Sequence, residues 1–233
     1  MQKSNPELLQ GAIALIPTEI LSKVAFVGGA TVHLYLDPKE LEKATLRYTE
    51  DVDSITVVAG YLEWSKFEEQ LRAAGFKNDI DSGINCRFIK NGFIFDFMPT
   101  DEATLGFTNR WYQSAYDGAE DIEIASGDKI KLVRLPYFLA TKFEAFEGRG
   151  DGDYWGSRDI EDILAVIQGR GSVEEEILQS ESTVRRAILD GFQKLSDNAQ
   201  YQNAIEGNFN DPSVQLQVST KINNILMRGR LLD

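Results

Sequence analysis

The stretch from Val24 to Val58 constrains the fold of this chain more than any other part of the sequence. It begins with an apolar run that ends in Gly28-Gly29, continues through a helix-like segment, and ends in a second apolar run that opens with Asp51-Val52-Asp53. Paired glycines let backbone N–H groups approach an anion closely, and the positive end of a following helix favours the same charge. The pattern predicts a strand, a phosphate-binding turn, a helix and a second strand.

Asp51 and Asp53 are two residues apart on the predicted second strand, so their side chains project from the same face. Two carboxylates this close repel each other unless a cation lies between them, which predicts a divalent-metal site beside the glycine turn. The alternative is a solvated strand end. The chain has 37 acidic residues, and the same spacing recurs in Asp79-Ile80-Asp81 and in Asp151-Gly152-Asp153.

The residue counts exclude several classes of site. A single cysteine, Cys86, excludes an internal disulfide and a cysteine-rich zinc site. A single histidine, His33, argues against a serine–histidine triad and a histidine-based metal site, so carboxylates, lysine and arginine carry the available chemistry. The net charge of −13 argues against a broad nucleic-acid surface, although it leaves room for a local basic cleft.

Length and hydropathy place the chain among globular proteins. With 233 residues, of which 42% are apolar, it can bury a sizeable core as one large domain or as one domain with a helical appendage. No apolar run reaches the roughly 20 residues that a bilayer-spanning helix needs, and the first residues lack a signal-peptide pattern. We expect a cytoplasmic protein without a membrane partner.

The segment from Cys86 to Met98 has the pattern of a β-hairpin. Asn91-Gly92 between two apolar runs favours a two-residue type I′ turn, which places Arg87 opposite Asp96. Asp96 then lies on the face opposite to the phenylalanines of the hairpin. One interpretation is an ordinary cross-strand ion pair, which contributes about 0.2–1 kcal/mol. The other makes Asp96 a third metal ligand that meets Asp51 and Asp53.

The remaining pattern is helical. Ser157 is a favourable N-cap that places Asp159 in the first turn of a helix. Further helices are predicted over residues 6–22, 62–74, 136–146, 173–180, 183–195, 198–206 and 213–227. The predicted fold class is α/β (α+β), with a mixed sheet and flanking helices in a core of residues 1–135. A helical C-terminal region of residues 136–233 follows.

The combination of Gly28-Gly29, Asp51-Val52-Asp53 and a lone Asp96 on a later strand resembles the minimal nucleotidyltransferase fold of the polymerase β superfamily. Within that superfamily it is most similar to the AbiEii-type toxin nucleotidyltransferases. The resemblance spans about residues 20–170. Other segments that carry it are Arg47-Tyr48-Thr49-Glu50, Met98-Pro99-Thr100-Asp101 and residues 105–112, 138–146 and 157–163.

This resemblance implies an enzyme that transfers a nucleoside monophosphate from an NTP to an acceptor. It implies that Asp51, Asp53 and Asp96 hold Mg²⁺ or Mn²⁺ and that Lys142 binds the triphosphate. The implied catalytic residues are Asp51, Asp53, Asp96, Lys142 and Asp159. The residues expected to contact the nucleotide are Gly28, Gly29, Arg47, Arg87 and Lys142. From the residues alone, Lys142 is equally a lysine whose stem packs among apolar neighbours. Asp159 and Asp162 share a face of the helix and are either a helix-start feature or a functional pair.

The resemblance also implies a biological setting: the toxin of a toxin–antitoxin or phage-defence system. The acceptor would be tRNA or a protein hydroxyl, and a cognate antitoxin would be a partner. Two other classes of function stay open at this point. A non-catalytic module would bind NTP without turnover, and an antitoxin-like or structural protein would bind no nucleotide.

Overall fold

A computed structural model describes residues 3–42, 44, 46–106, 108–150 and 152–232. Phe107 and Asp151, which belong to segments named above, lie outside the described residues. The chain forms two compact units. The first contains the residues up to Thr31 together with Tyr48–Arg134, and the second contains Val32–Arg47 together with the residues from Leu135 onward. The predicted division into 1–135 and 136–233 stays a prediction.

Within the described residues, seven strands form one mixed sheet in the first unit. The strands are β1 Val24–Val27, β2 Asp51–Thr56, β3 Lys77–Asn78, β4 Arg87–Lys90, β5 Phe93–Pro99, β6 Glu120–Glu123 and β7 Lys129–Leu132. Their spatial order is β3-β4-β5-β2-β1-β7-β6. Strands β2 and β5 pair in parallel, as do β1 and β7, whereas the other neighbours are antiparallel.

Helices flank the sheet and make up the C-terminal region, which confirms the predicted fold class. In chain order they are α1 Asn5–Ile13, α2 Thr18–Leu21, α3 Val32–Tyr35, α4 Pro38–Leu41, α5 Tyr61–Ala73, α6 Glu102–Leu105, α7 Tyr112–Asp117, α8 Leu135–Arg149, α9 Arg158–Gly169, α10 Val173–Leu178, α11 Ser182–Asp197, α12 Tyr201–Asn208 and α13 Pro212–Gly229. Single 3₁₀ turns lie at Gly29–Thr31 and Ile80–Ser82. No helix of the described residues combines the length and the apolar character that crossing a bilayer requires.

One predicted helix is interrupted in the structure, so the prediction of a single helix is wrong. Residues 6–22 form two helices, α1 and α2, rather than one. Pro17 precedes the second helix in an extended conformation, with ψ of 149°. A proline has no N–H to donate and restricts the residue before it to extended conformations, so α1 cannot continue through this position.

The predicted hairpin is confirmed residue by residue. Asn91 and Gly92 both have positive φ, 50° and 78°, as a type I′ turn requires. Arg87 therefore lies opposite Asp96, and Phe88 lies opposite Phe95. This register fixes which side chains of β4 and β5 share a face.

Aromatic residues fill one face of this part of the sheet. Phe67 of α5 meets Phe97 edge-to-face with ring centroids 5.6 Å apart, and Phe76 meets Phe95 in the same way at 5.0 Å. Edge-to-face pairs at these distances add to the stabilisation from burial. Because side chains alternate along a strand, the residues between the phenylalanines point to the other face.

Helix α9 is the central element of the second unit. It contacts α3, α8, α12 and α13. The N–H of Asp37 donates to the carbonyl of Gly169 at 2.9 Å, and the amide of Gln168 donates to Glu40 at 3.1 Å. Lys221 of α13 donates to the carbonyl of Ile167 at 2.8 Å, near the C-terminus of α9. The helices predicted from residue 136 onward are all present, within a few residues of the predicted limits.

Candidate metal centre

Three carboxylates converge on the non-aromatic face of the sheet in the first unit. Asp51 and Asp53 come from β2 and Asp96 comes from β5, and the parallel register places Asp53 directly opposite Asp96. One oxygen of each carboxylate lies within 4.8 Å of the others. This is the meeting of side chains that strand alternation and the hairpin register predicted. Whether the group holds a metal stays a prediction.

The glycine turn lies directly against this group. Gly28 follows β1, whose last residue, Val27, is paired with Asp53. The φ of Gly28 is +83°, and a Cβ atom at this position would lie 2.0 Å from Asp53 Oδ2. Only glycine fits here, because any other residue would be strained in its backbone and would overlap the carboxylate. The hydroxyl of Thr31 closes the turn by donating to the carbonyl of Gly28 at 2.8 Å.

Arg87 bridges two of the three carboxylates. Its Nε donates to Asp96 Oδ1 at 2.8 Å, and its Nη2 donates to Asp96 Oδ2 at 2.7 Å. The same Nη2 donates to Asp51 Oδ2 at 2.8 Å. The pairing of Arg87 with Asp96 was predicted from the turn. The contact of Arg87 with Asp51 is an additional one. This face thus carries three acidic side chains and one guanidinium.

A threonine hydroxyl supports the same group. Thr49 Oγ1 donates to Asp51 Oδ1 at 2.8 Å, and Thr49 is buried. The sequence-based prediction missed this contact. The signal for it was present, because residues two apart in an extended segment share a face.

Burial and charge act on the ionisable groups of this face. Burial raises the pKa of Asp96 above its ordinary value, and the hydrogen bonds and charge of Arg87 oppose this shift without cancelling it. The hydrogen bond to Asp96 raises the pKa of Arg87, so the guanidinium stays charged. Burial, followed by the charges of Asp96 and Asp53, raises the pKa of Cys86 to about 12. Cys86 is therefore a protonated, buried thiol.

The donor set fits a hard divalent cation. Mg²⁺ prefers oxygen ligands at 2.0–2.1 Å, so two oxygens on opposite sides of one ion are about 4 Å apart. One oxygen of each of the three carboxylates lies within 4.8 Å of the others, near enough for the three side chains to share one ion. The side chain of Asp51 is 28% exposed, which gives this ligand access to solvent. Asp51, Asp53 and Asp96 are thus the residues that would hold Mg²⁺ or Mn²⁺.

A second group of charges lies within the second unit. Lys142 of α8 places its Nζ 2.6 Å from Asp162 Oδ2 and 3.1 Å from Asp159 Oδ1, both on α9. Lys142 is 6% exposed, and the two aspartates are 2% and 4% exposed. The ammonium is thus engaged by two carboxylates. The triphosphate role that the resemblance implies for Lys142 stays a prediction.

Two arginines complete this second group. Arg47 forms a bidentate pair with Asp162 at 2.7 and 2.8 Å, and Arg149 contacts both oxygens of Asp159 at 3.0 and 3.1 Å. Burial alone would lower the pKa of Lys142, but Asp162 and Asp159 raise it above its ordinary value. Burial would raise the pKa of Asp159, but Lys142 and Arg149 hold it below its ordinary value. Lys142 and Asp159 are consequently both in their charged forms at neutral pH.

The sequence-predicted site residues thus fall into two sets. Gly28, Gly29, Asp51, Asp53, Arg87 and Asp96 belong to the first unit, and Arg47, Lys142 and Asp159 belong to the second. Asp162 belongs to the second group of charges but is not among the catalytic residues that the resemblance implies. Its pairing with Arg47 spans 115 positions of sequence, and no local pattern reports such a contact.

Comparison with known proteins gives no family assignment. A scan against models of protein families and a search of curated proteins both returned no match. The chemistry of the site therefore carries the functional argument.

Proposed function

We propose that the protein is a divalent-metal-dependent nucleotidyltransferase that moves a nucleoside monophosphate from an NTP to an acceptor hydroxyl. The observation that carries this proposal is the convergence of Asp51, Asp53 and Asp96 directly beside the Gly28 turn. When bound, Mg²⁺ or Mn²⁺ supplies positive charge that stabilises the charge developing during phosphoryl transfer.

The residues of this face have complementary roles in the proposal. Asp51, Asp53 and Asp96 hold the cation, and the turn at Gly28 and Gly29 binds the triphosphate through its backbone N–H groups. The chain has a net charge of −13, so it needs such groups to bind a negatively charged NTP. An NTP is itself strongly anionic, so the cation and the backbone N–H groups must offset the repulsion.

The remaining parts of the proposal rest on the family resemblance rather than on geometry. They are the triphosphate contacts of Arg47 and Lys142, the catalytic role of Asp159 and the contact of Arg87 with the nucleotide. They also include a tRNA or protein acceptor, a role as a toxin with a cognate antitoxin, and a cytoplasmic location.

A second candidate function is supported by the contacts of Arg87. Because its guanidinium already bridges Asp51 and Asp96, the acidic face has a cation of its own. In this alternative the protein is a non-catalytic nucleotide-binding or antitoxin-like module, and the carboxylates serve to hold the hairpin against β2.

Transfer of a labelled nucleotide tests the first candidate. Each of the four NTPs, labelled in the α-phosphate, is incubated with Mg²⁺, cell extract and either the wild-type protein or a variant. We expect label in RNA or protein with the wild type. Asp53→Asn should give at least about tenfold less label, because removing a direct ligand costs no less than removing an outer-shell partner. The matched control is Asp81→Asn, which alters an exposed aspartate of the Asp79-Ile80-Asp81 pair and should transfer like the wild type.

Two results would count against transferase activity. Transfer by Asp53→Asn within a few-fold of the wild type would contradict the assignment of the metal ligands. Calorimetric binding of NTP by the wild type, with no label in any acceptor, would favour the non-catalytic module.

A further inference from the structure

We propose that Arg87 is a resident counter-ion that competes with the divalent cation for the acidic face. It thereby sets the metal concentration at which the site fills. This inference rests on the proposed function and concerns the regulation of the same site. It assigns to Arg87 a role distinct from contact with the nucleotide.

The hydrogen bonds of the acidic face carry this proposal. Both oxygens of Asp96 and one oxygen of Asp51 accept N–H groups of Arg87. The other oxygen of Asp51 accepts the hydroxyl of Thr49. Every oxygen of these two carboxylates therefore has a donor before any metal arrives. A cation that binds both must share these oxygens with the guanidinium or displace it.

Arg87 cannot leave this arrangement by losing its charge. An arginine stays protonated at all ordinary pH values, so only movement of the side chain removes its positive charge from the site. Its backbone is fixed by the pairing with Asp96 in the hairpin and by the buried neighbours Cys86 and Phe88. Its side chain is 18% exposed, so one edge faces solvent. Rotation toward solvent is consequently the available movement.

Removal of Arg87 changes the metal affinity in opposite directions, depending on whether this residue competes with the metal or only supports Asp96. If Arg87 competes, its removal leaves three carboxylates with more uncompensated negative charge, and the cation binds more tightly. If Arg87 serves only to orient Asp96, its removal disorders a ligand, and the cation binds more weakly. The sign of the change distinguishes the two roles.

Binding of Mn²⁺, followed by the electron paramagnetic resonance signal of the free ion, measures this sign without any assay of activity. Arg87→Met keeps much of the side-chain volume and removes the charge. We expect it to lower the Kd for Mn²⁺ about tenfold or more, because a unit charge a few ångströms from a divalent ion is strongly repelled. Arg87→Lys keeps the charge without the bidentate geometry and should give an intermediate Kd. Arg72→Met breaks a more exposed pair with Glu68 in the same unit and should bind like the wild type.

A measurement on the wild-type protein keeps the proposal testable if Arg87→Met does not fold. In protein labelled with ¹⁵N-arginine, the Nε–H resonance of Arg87 is assigned by its loss in Arg87→Lys. Titration with Mg²⁺ should shift this resonance at the concentrations at which the metal binds. The Arg72 resonance should stay in place.

The possible outcomes separate this inference from the proposed function. Tighter Mn²⁺ binding by Arg87→Met supports the inference, including the case in which the wild type itself binds too weakly to measure. Two results overturn the inference alone. One is Mn²⁺ binding by the wild type with an equal or higher Kd in Arg87→Met. The other is an Nε–H resonance of Arg87 that does not shift when Mg²⁺ binds. Absence of Mn²⁺ binding by every one of these proteins overturns the metal centre as well.

Discussion

At Gly28 the missing side chain is what allows Asp53 to reach its position. The carboxylate of Asp53 occupies the space that a Cβ atom would fill, and the backbone there has a positive φ that other residues rarely adopt. The glycine therefore serves the acidic group as well as the turn. A role limited to phosphate binding would not require this close approach.

Substitution of Gly28 separates this steric role from backbone strain alone. We expect Gly28→Ala to lower the free energy of unfolding by more than the roughly 1 kcal/mol that a positive φ costs an alanine, and to weaken Mn²⁺ binding by displacing Asp53. The control is Gly83→Ala, which has a φ of +69° and no neighbour within 4 Å of the added Cβ. Urea unfolding and Mn²⁺ titration of both variants make the comparison. Equal stability of the two variants, with unchanged Mn²⁺ binding, would show that the overlap with Asp53 is unimportant.

Residue contacts were predictable where local geometry determines them. The Asn91-Gly92 turn fixes the hairpin register, and the register fixes the pairing of Arg87 with Asp96. The pairing of Arg47 with Asp162 could not be predicted, because it depends on tertiary packing between distant segments. A pattern of residue types reports spacing along the chain and carries no information on such contacts.

At the scale of elements, the buried charges join α8 to α9. Lys142 comes from α8, and Asp159 and Asp162 come from α9, so the ion pairs form part of the contact between these two helices. Breaking a buried ion pair leaves an uncompensated charge, which is far more costly than the loss of a surface pair. Removing one of these charges would therefore destabilise the pairing of α8 and α9.

The pH dependence of stability tests this account of the two helices. Because the folded-state pKa of Asp159 is lowered, its contribution is present above the ordinary aspartate pKa of 3.8 and is lost as the pH falls through the lower folded value. We expect Asp159→Asn to cost about 3 kcal/mol at neutral pH, and less as the medium becomes strongly acidic. Urea unfolding of the wild type and the variant across the acidic range measures the difference.

The control for this series is Glu147→Gln, which breaks the exposed pair between Glu147 and Lys194. It should cost less than about 1 kcal/mol at neutral pH. A cost of Asp159→Asn that stays constant or grows toward acidic pH would contradict the assigned direction of the pKa shift.

Elements with strong local signals were predictable, and those shaped by packing were not. Ser157 caps α9 by accepting the N–H groups of Asp159 and Ile160, as its sequence position predicted. The helix-like segment after the glycines instead contains the short helices α3 and α4, and α3 contacts α9. Contacts such as that of Asp37 with Gly169 decide its conformation, and they join residues that are far apart in the sequence.

At the scale of the whole molecule, the two faces of the sheet carry different kinds of side chain. One face of β4 and β5 is covered by aromatic side chains, and the other carries Arg87 and Asp96 beside the acidic pair of β2. The α/β class was predictable from alternating strand and helix patterns. The strand order was not, because the parallel pairing of β1 with β7 joins segments separated by about a hundred residues.

In the proposed function, the acidic face of β2 and β5 binds the divalent ion of a nucleotide-transfer site. Anomalous diffraction from crystals grown with Mn²⁺ and a non-hydrolysable NTP analogue tests this directly. We expect an anomalous peak at bonding distance from Asp51, Asp53 and Asp96, with the triphosphate against the Gly28 turn. The contradicting result is nucleotide bound elsewhere, no peak among these carboxylates, and Arg87 still bridging Asp51 and Asp96.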